Sequence, residues 1–192
     1  SVAAKKNIVG AIVIKGISIF ISLLVVPLTI NYVNTTNYGI WLALSSMIAW
    51  ISFFDIGFTH GLRNKFAAAK AKGDIELARI YISTTYYYVA LIFFISWVVL
   101  FITNQFISWH KLLSVPVEME IEITKLAIIV ISYFCFQFIF RIITTILIAD
   151  QKPATSSLLD TIGQFLALII IYVLTRLTSG SLVYLGLASC IA

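Results

Sequence analysis

Residues 123–148 read ITKLAIIVISYFCFQFIFRIITTILI, and this stretch decides the fold. Its 26 residues, wound as an α-helix, extend about 39 Å at 1.5 Å per residue, more than the roughly 30 Å hydrocarbon core of a bilayer. Comparable apolar runs lie at 8–30, 38–58, 80–103 and 157–175, and a sixth begins at Leu182 and reaches Ala192, too short to cross. The expected fold is therefore an all-α integral membrane protein, with 1–192 forming a single transmembrane lobe. The whole chain agrees. Of its 192 residues 61% are hydrophobic and only 11% are charged, and the mean hydropathy is +1.05. Soluble domains carry about 25% charged residues, so a water-soluble enzyme, a nucleic-acid-binding module and a disordered chain are all excluded.

The chain begins at Ser1 rather than Met, and its sixth run is short. Together these give the expectation of a fragment of a longer protein. The first run is a poor signal peptide, being too long and lacking a cleavage site after Thr29. Cys135 and Cys190 both lie in apolar runs, so no disulfide framework is implied.

Basic residues alternate between the connecting segments. Lys5 and Lys6 precede the first span; 31–37 has no charge; 59–79 carries Arg63, Lys65, Lys70, Lys72 and Arg79. The 104–122 segment sets Lys111 beside Glu118, Glu120 and Glu122, and Lys152 lies in the following short segment. By the positive-inside rule the N-terminus is cytoplasmic. The net charge of +5 is thus a topology signal, and nucleic acid is not expected as a partner. Tyr32, Tyr38 and Trp41, and later Phe106 and Trp109, are expected to anchor the outer interface. Gly73 suits a helix C-terminus and Asp74 the N-cap of a long third helix. Phe66-Ala67-Ala68-Ala69-Lys70 favours a helix, which extends span two past a bend near Gly57 and Gly61.

The informative residues are polar ones where lipid forbids them. A Lys, Arg or Asp at a helix centre costs roughly 2.5–3.5 kcal/mol on insertion scales. Lys15 and Arg141 each lie about seven residues from the inner end of their spans, ~10 Å deep. Tyr133, Gln137, Arg141 and Thr144 or Thr145 recur at i, i+4, i+8 and i+11 or i+12; Lys15, Ser18, Ser22 and Thr29 follow one face of span one. Span two offers Ser45, Ser52, Asp55 and Thr59, and span five Asp160 and Gln164. Helices with one polar stripe each enclose a hydrated cavity while their other faces meet lipid, which is a transporter architecture.

Structural roles compete at every position. Ser157 and Asp160 form a Ser-x-x-Asp capping box. A structural ion pair with Arg63 or Lys15 explains Asp55 about as well as proton coupling does. Lys15 and Arg141 have stems long enough to snorkel, and Ser or Thr within spans often bond only to the preceding turn. Tyr86, Tyr87 and Tyr88 suit an inner aromatic belt better than a sugar platform. His60 and His110 fall on opposite sides, and there is no His-Glu-x-x-His, Gly-rich phosphate loop or paired intramembrane acids. Neither a catalytic constellation nor a metal site is expected.

The run Asn37-Tyr38-Gly39-Ile40-Trp41, then Phe54-Asp55-Ile56-Gly57-Phe58, Gly61-Leu62-Arg63-Asn64 and Lys72-Gly73-Asp74 with Ala78-Arg79 resembles the N-terminal part of polysaccharide flippases of the multidrug/oligosaccharidyl-lipid/polysaccharide exporter superfamily. Pro27 late in span one fits the same pattern. The resemblance implies the first six-helix lobe of a transporter of twelve or more helices, completed by a C-terminal half. It implies flipping of undecaprenyl-pyrophosphate-linked oligosaccharide across a bacterial inner membrane by alternating access. No cofactor is implied beyond proton or sodium coupling. On that reading Lys15 and Arg141 meet the pyrophosphate, with Gln137, Tyr133, Ser18 and Ser22 lining the cavity and Asp55 and Asp160 as gate or coupling acids. A cation-coupled drug exporter of the same superfamily is the main rival; such proteins use an acid in helix one, where this chain has Lys15. A membrane enzyme acting on lipid-linked sugars is less favoured, since the catalytic constellation is missing.

Overall fold

A computed structural model describes residues 2–50 and 57–191. Every regular element among them is helical: α1 (Val2–Val33), α2 (Thr35–Ala49), α3 (Phe58–Ala71), α4 (Ile75–Asn104), α5 (Trp109–Leu113), α6 (Glu120–Ala149), α7 (Pro153–Leu177) and α8 (Leu182–Ile191), with a 3-10 turn at Val117–Met119. Among the described residues, four segments are long and apolar enough to cross a membrane: Asn7–Val33, Ile75–Asn104, Val117–Ala149 and Pro153–Leu177. Large apolar side chains such as Ile12, Phe20, Phe94 and Phe140 stand exposed along them, as helices facing lipid require.

The helix boundaries follow local chemistry. Asn34, left-handed at φ 70°, separates α1 from α2, and its side chain accepts the Asn37 N–H at 2.9 Å; Asn is among the few residues that tolerate that conformation. Gly73 (φ 77°) turns the chain between α3 and α4, and the Asp74 carboxylate caps α4 by accepting the Leu77 N–H at 2.9 Å, both as the sequence leads one to expect. The expected second span, 38–58, is helical only to Ala49 within the described residues. The chain resumes at Gly57 in the left-handed region and starts α3 at Phe58, so a break falls at Gly57, whereas Gly61 lies inside α3. The capping box does not form at the start of the fifth span. Pro153 occupies the first turn of α7, with Lys152 before it, where proline's fixed φ and missing N–H are favourable; Ser157 and Asp160 therefore sit one and two turns inside.

Three packing systems build the described fold, and α6 belongs to two of them. The longest seam joins α1 to α7. Its polar rungs are Asn7 Nδ2 to the Gln151 carbonyl (3.2 Å), Ser18 Oγ to Gln164 Oε1 (2.6 Å) and Tyr32 to Thr178 (2.8 Å between hydroxyl oxygens). A sequence offset of 144–146 at all three rungs means that the two helices run parallel and in register. Gly10 admits Ala154, whose methyl lies 3.5 Å from where a Cβ on Gly10 would be, the close approach that small residues allow between membrane helices. The second system packs α3 and α4 against α6 around Leu62, Phe66, Ala78, Val89, Phe138 and Ile142, with the Phe93 and Phe138 rings stacked at 4.2 Å. At the opposite end α6 meets α2, α5 and α8 around Leu44, Trp109, Ile123, Leu126, Val130 and Leu182.

Basic segments gather at one end. Asp150, after α6, bridges Lys70 at the end of α3 and Lys152 at the start of α7 (2.8 Å to Lys152), and the Asn7 rung lies beside it. At the other end the acids are helix caps. Glu120 accepts the Trp109 N–H at 3.0 Å, and Glu122 accepts the Leu182 N–H at 3.1 Å, placing negative charge where helix dipoles favour it. Two expected interface anchors are instead internal. Trp109 is buried, with its indole N–H donating to Asn104 Oδ1 at 2.9 Å. Tyr32 is buried in the α1–α7–α8 cluster, against which Tyr38 and Trp41 pack. Phe106 stays exposed.

Candidate functional site

Leu126, Val130, Tyr133, Gln137, Arg141 and Thr144 follow one another at three- and four-residue steps along one face of α6. That face changes character along its length. Leu126 and Val130 are buried at 0% and 1% exposure, because α2 and α8 cover them. Tyr133 is half-buried, and Gln137 and Arg141 are exposed. The α8 contact that lies nearest this transition is Cys190 Sγ, 4.0 Å from the Ile129 carbonyl. Below it, toward the basic end, the face is open.

Within the stripe the polar groups are preset. Gln137 Nε2 donates to the Tyr133 hydroxyl at 3.0 Å, and the Tyr133 ring meets Phe134 edge-on at 5.6 Å. Thr144 and Thr145 turn back to the Arg141 carbonyl at 2.8 and 3.1 Å, as hydroxyls in apolar helices do. Their hydroxyl protons are thus engaged by the helix. What remains for a ligand is the Arg141 guanidinium, the Gln137 amide and the Tyr133 hydroxyl, on a rigid helix. A guanidinium is the natural bidentate partner of phosphate oxygens.

The other predicted residues separate from this group. Ser18 is 3% exposed and is consumed in the Gln164 rung of the α1–α7 seam. Ser22 donates to the Ser18 carbonyl at 3.0 Å, and Thr29 to the Val25 carbonyl at 2.7 Å. Of these, Ser18 and Thr29 are buried in packing, whereas Ser22 stays exposed. Lys15 is exposed and lines a shallow cleft of about 330 Å³ with Ile8, Ala11, Ile12, Pro153 and Ser157. That cleft belongs to α1 and α7, so it does not unite Lys15 with Arg141. Asp160 is exposed on α7, one turn before Gln164. Asp55 lies outside the described residues.

The ion bridge at Asp150 and the caps at Glu120 and Glu122 escape a sequence reading. Each acid had a visible signal: Asp150 is a lone carboxylate three residues before Pro153, and Glu120 and Glu122 open a long helix. Their partners, 80 and 60 residues away for Lys70 and Leu182, come only with the fold.

No protein-family model, curated protein or solved structure matches the chain.

Proposed function

We propose that this chain is a lobe of a membrane transporter, not an enzyme, that moves an anionic lipid-linked oligosaccharide across a bacterial cytoplasmic membrane for polysaccharide assembly. The observation that carries the reading is the open face of α6. An uncovered Arg141–Gln137–Tyr133 stripe in a helix otherwise built for lipid is costly unless it borders water or a polar ligand. Arg141 is assigned the phosphates, and Gln137 and Tyr133 the hydroxyl-rich sugar, whose hydroxyls both donate and accept. The Lys15 cleft joins an ammonium to the apolar walls of Ile8, Ala11 and Ile12. It suits the junction between a phosphate and a polyprenyl chain, and so a waiting position on the same route. The C-terminal half of the transporter would close the opposite wall of the cavity and permit alternating access. Asp160 is the described acid available for proton or sodium coupling.

The reading is tested on the full-length transporter in two ways. Arg141→Ala is expected to abolish transport while membrane insertion and abundance stay at wild-type levels; full activity would sink the assignment of Arg141 to phosphate. Native mass spectrometry then compares undecaprenyl pyrophosphate with a lipophilic cation on wild type and on Lys15→Ala/Arg141→Ala. Binding of the pyrophosphate lipid that disappears in the double variant is the expected result. Preference for the cation would assign the chain to drug export and leave Lys15 and Arg141 as interface anchors.

A further inference from the structure

A second hollow lies away from the α6 stripe. Gly57, just before α3, and Gly61 and Lys65 of α3 face Tyr81, Thr84 and Thr85 of α4 across a cleft of about 230 Å³. The Lys65 ammonium sits 5.5 Å from the centroid of the Tyr81 ring, within the range of cation–π attraction. That contact fixes the cation at the cleft without neutralising it. The Thr85 hydroxyl is spent on the Tyr81 carbonyl at 2.8 Å, and Thr84 supplies the other hydroxyl of the wall. Among the described residues, a Cβ built on Gly61 meets nothing within 4 Å, so no described helix packs on that glycine.

Depth identifies the occupant. The 30 residues of α4 extend about 45 Å, against a hydrocarbon core of roughly 30 Å. About ten residues of α4 must therefore stand outside the core. Its far end is followed by Phe106 and the capped α5, and its predominantly apolar stretch begins after Tyr86, Tyr87 and Tyr88. Tyr81, Thr84 and Thr85 lie on the polar side of those tyrosines, at the level of lipid headgroups. Exposed Arg63 on the same short helix and Lys72 just after its end add positive potential, and each basic residue near an anionic leaflet contributes about 1 kcal/mol of attraction.

We propose that the α3–α4 cleft binds the phosphate headgroup of an anionic phospholipid of the surrounding leaflet. Lys65 provides the charge and Thr84 a hydroxyl donor, while the acyl chains continue along the exposed apolar surface of α4. The site is separate from the transport stripe, since none of Tyr133, Gln137 or Arg141 borders it. It stands whether or not the chain flips a lipid.

The test is native mass spectrometry of the full chain in detergent, titrated with phosphatidylglycerol and, in parallel, with phosphatidylcholine of the same acyl chains. Wild type is expected to hold phosphatidylglycerol several-fold more than phosphatidylcholine. Lys65→Gln should reduce that ratio to about one, and Lys65→Arg should retain most of it. Gly61→Leu fills the hollow without changing charge and should also abolish the preference. Circular dichroism checks the helix content of each variant; should Lys65→Gln lose helix, Gly61→Leu decides alone, because its side chain enters open space and leucine favours helix. Equal binding of the two lipids by wild type, or an unchanged ratio in a folded Lys65→Gln or Gly61→Leu, overturns the proposal.

Discussion

The α1–α7 seam and the lower face of α6 are written in the same code and do opposite things. Each places Ser, Thr, Tyr, Asn or Gln at three- and four-residue steps along an apolar helix. On α1 the polar groups meet partners at matching heights of a parallel neighbour, and the seam closes with rungs at Asn7, Ser18 and Tyr32. On α6 the covering helices stop short, so Gln137 turns to its own Tyr133 and Arg141 stays uncovered. A polar stripe in a membrane helix is therefore either glue or a water-facing wall, and its partner helix decides which. Within lipid, interhelical hydrogen bonds average only about 0.6 kcal/mol. The seam must owe most of its adhesion to close packing, with the rungs setting register.

The sharpest way to break this contrast is chemical access. A cysteine at Gln137 is expected to react with a membrane-impermeant thiol reagent more than ten times faster than one at Ser18, in a background with Cys135 and Cys190 replaced by serine or alanine. The ten-fold ratio corresponds to a difference of about 1.4 kcal/mol in the barrier to reagent access. Equal labelling, or faster labelling at Ser18, would mean that both stripes are walls or both are glue. Labelling confined to lipid-facing neighbours such as Phe136 or Phe140 would contradict the assignment of the α6 stripe to water.

Stability should divide the two regions in the reverse sense. A Cβ built on Gly180 falls 2.0 Å from the Tyr32 carbonyl oxygen and 3.2 Å from the Val33 Cα, both backbone atoms at the end of α1. Gly180→Ala must therefore push the α7–α8 connection off the seam, and overpacking of this kind costs about 1–3 kcal/mol. The expected outcome is a clear drop in melting temperature in detergent; an unchanged value would show that the far end of the seam is loose. Gln164→Leu removes the Ser18 rung while keeping volume, and should lower stability by about 0.6–1.7 kcal/mol. Arg141→Ala, on the open face, should leave the melting temperature within experimental error. A larger loss at Arg141 than at Gln164 would invert the comparison.

How much of this was legible in the sequence differs between the levels of structure. Long apolar runs settle helices and their approximate extents, because hydrocarbon length and backbone hydrogen bonding leave few alternatives. Gly73 and Asp74 were readable because caps are local. Asn34, by contrast, ends α1 with a single left-handed residue that composition alone does not single out. What the sequence makes legible of the candidate site is which residues share a face: periodicity groups Tyr133, Gln137 and Arg141 on α6 and Ser18 and Ser22 on α1, but nothing in either helix alone reveals that α7 covers Ser18 while Ser22 and the lower face of α6 stay open. Trp109 and Tyr32 carry the same lesson: an amphipathic ring near a span end suits either an interface or an internal hydrogen bond, and Asn104 and Thr178 supplied the second.

The smallest effect concerns what joins the two regions. At the basic end, Asp150 holds Lys70 of α3 and Lys152 before α7, beside the Asn7 to Gln151 contact with α1. The seam and the α3–α4–α6 group thus meet at one carboxylate. Lys70 is about half exposed, at 48%, so screening by water keeps such a pair to about 0–1 kcal/mol. Lys70→Gln is accordingly expected to change the melting temperature little, and to do so less at high salt than at low salt. Its effect should appear in hydrogen exchange, as faster exchange confined to the last turn of α3 and the first turn of α7. Faster exchange throughout α1 and α7 would mean that the bridge, rather than packing along the seam, holds those helices together.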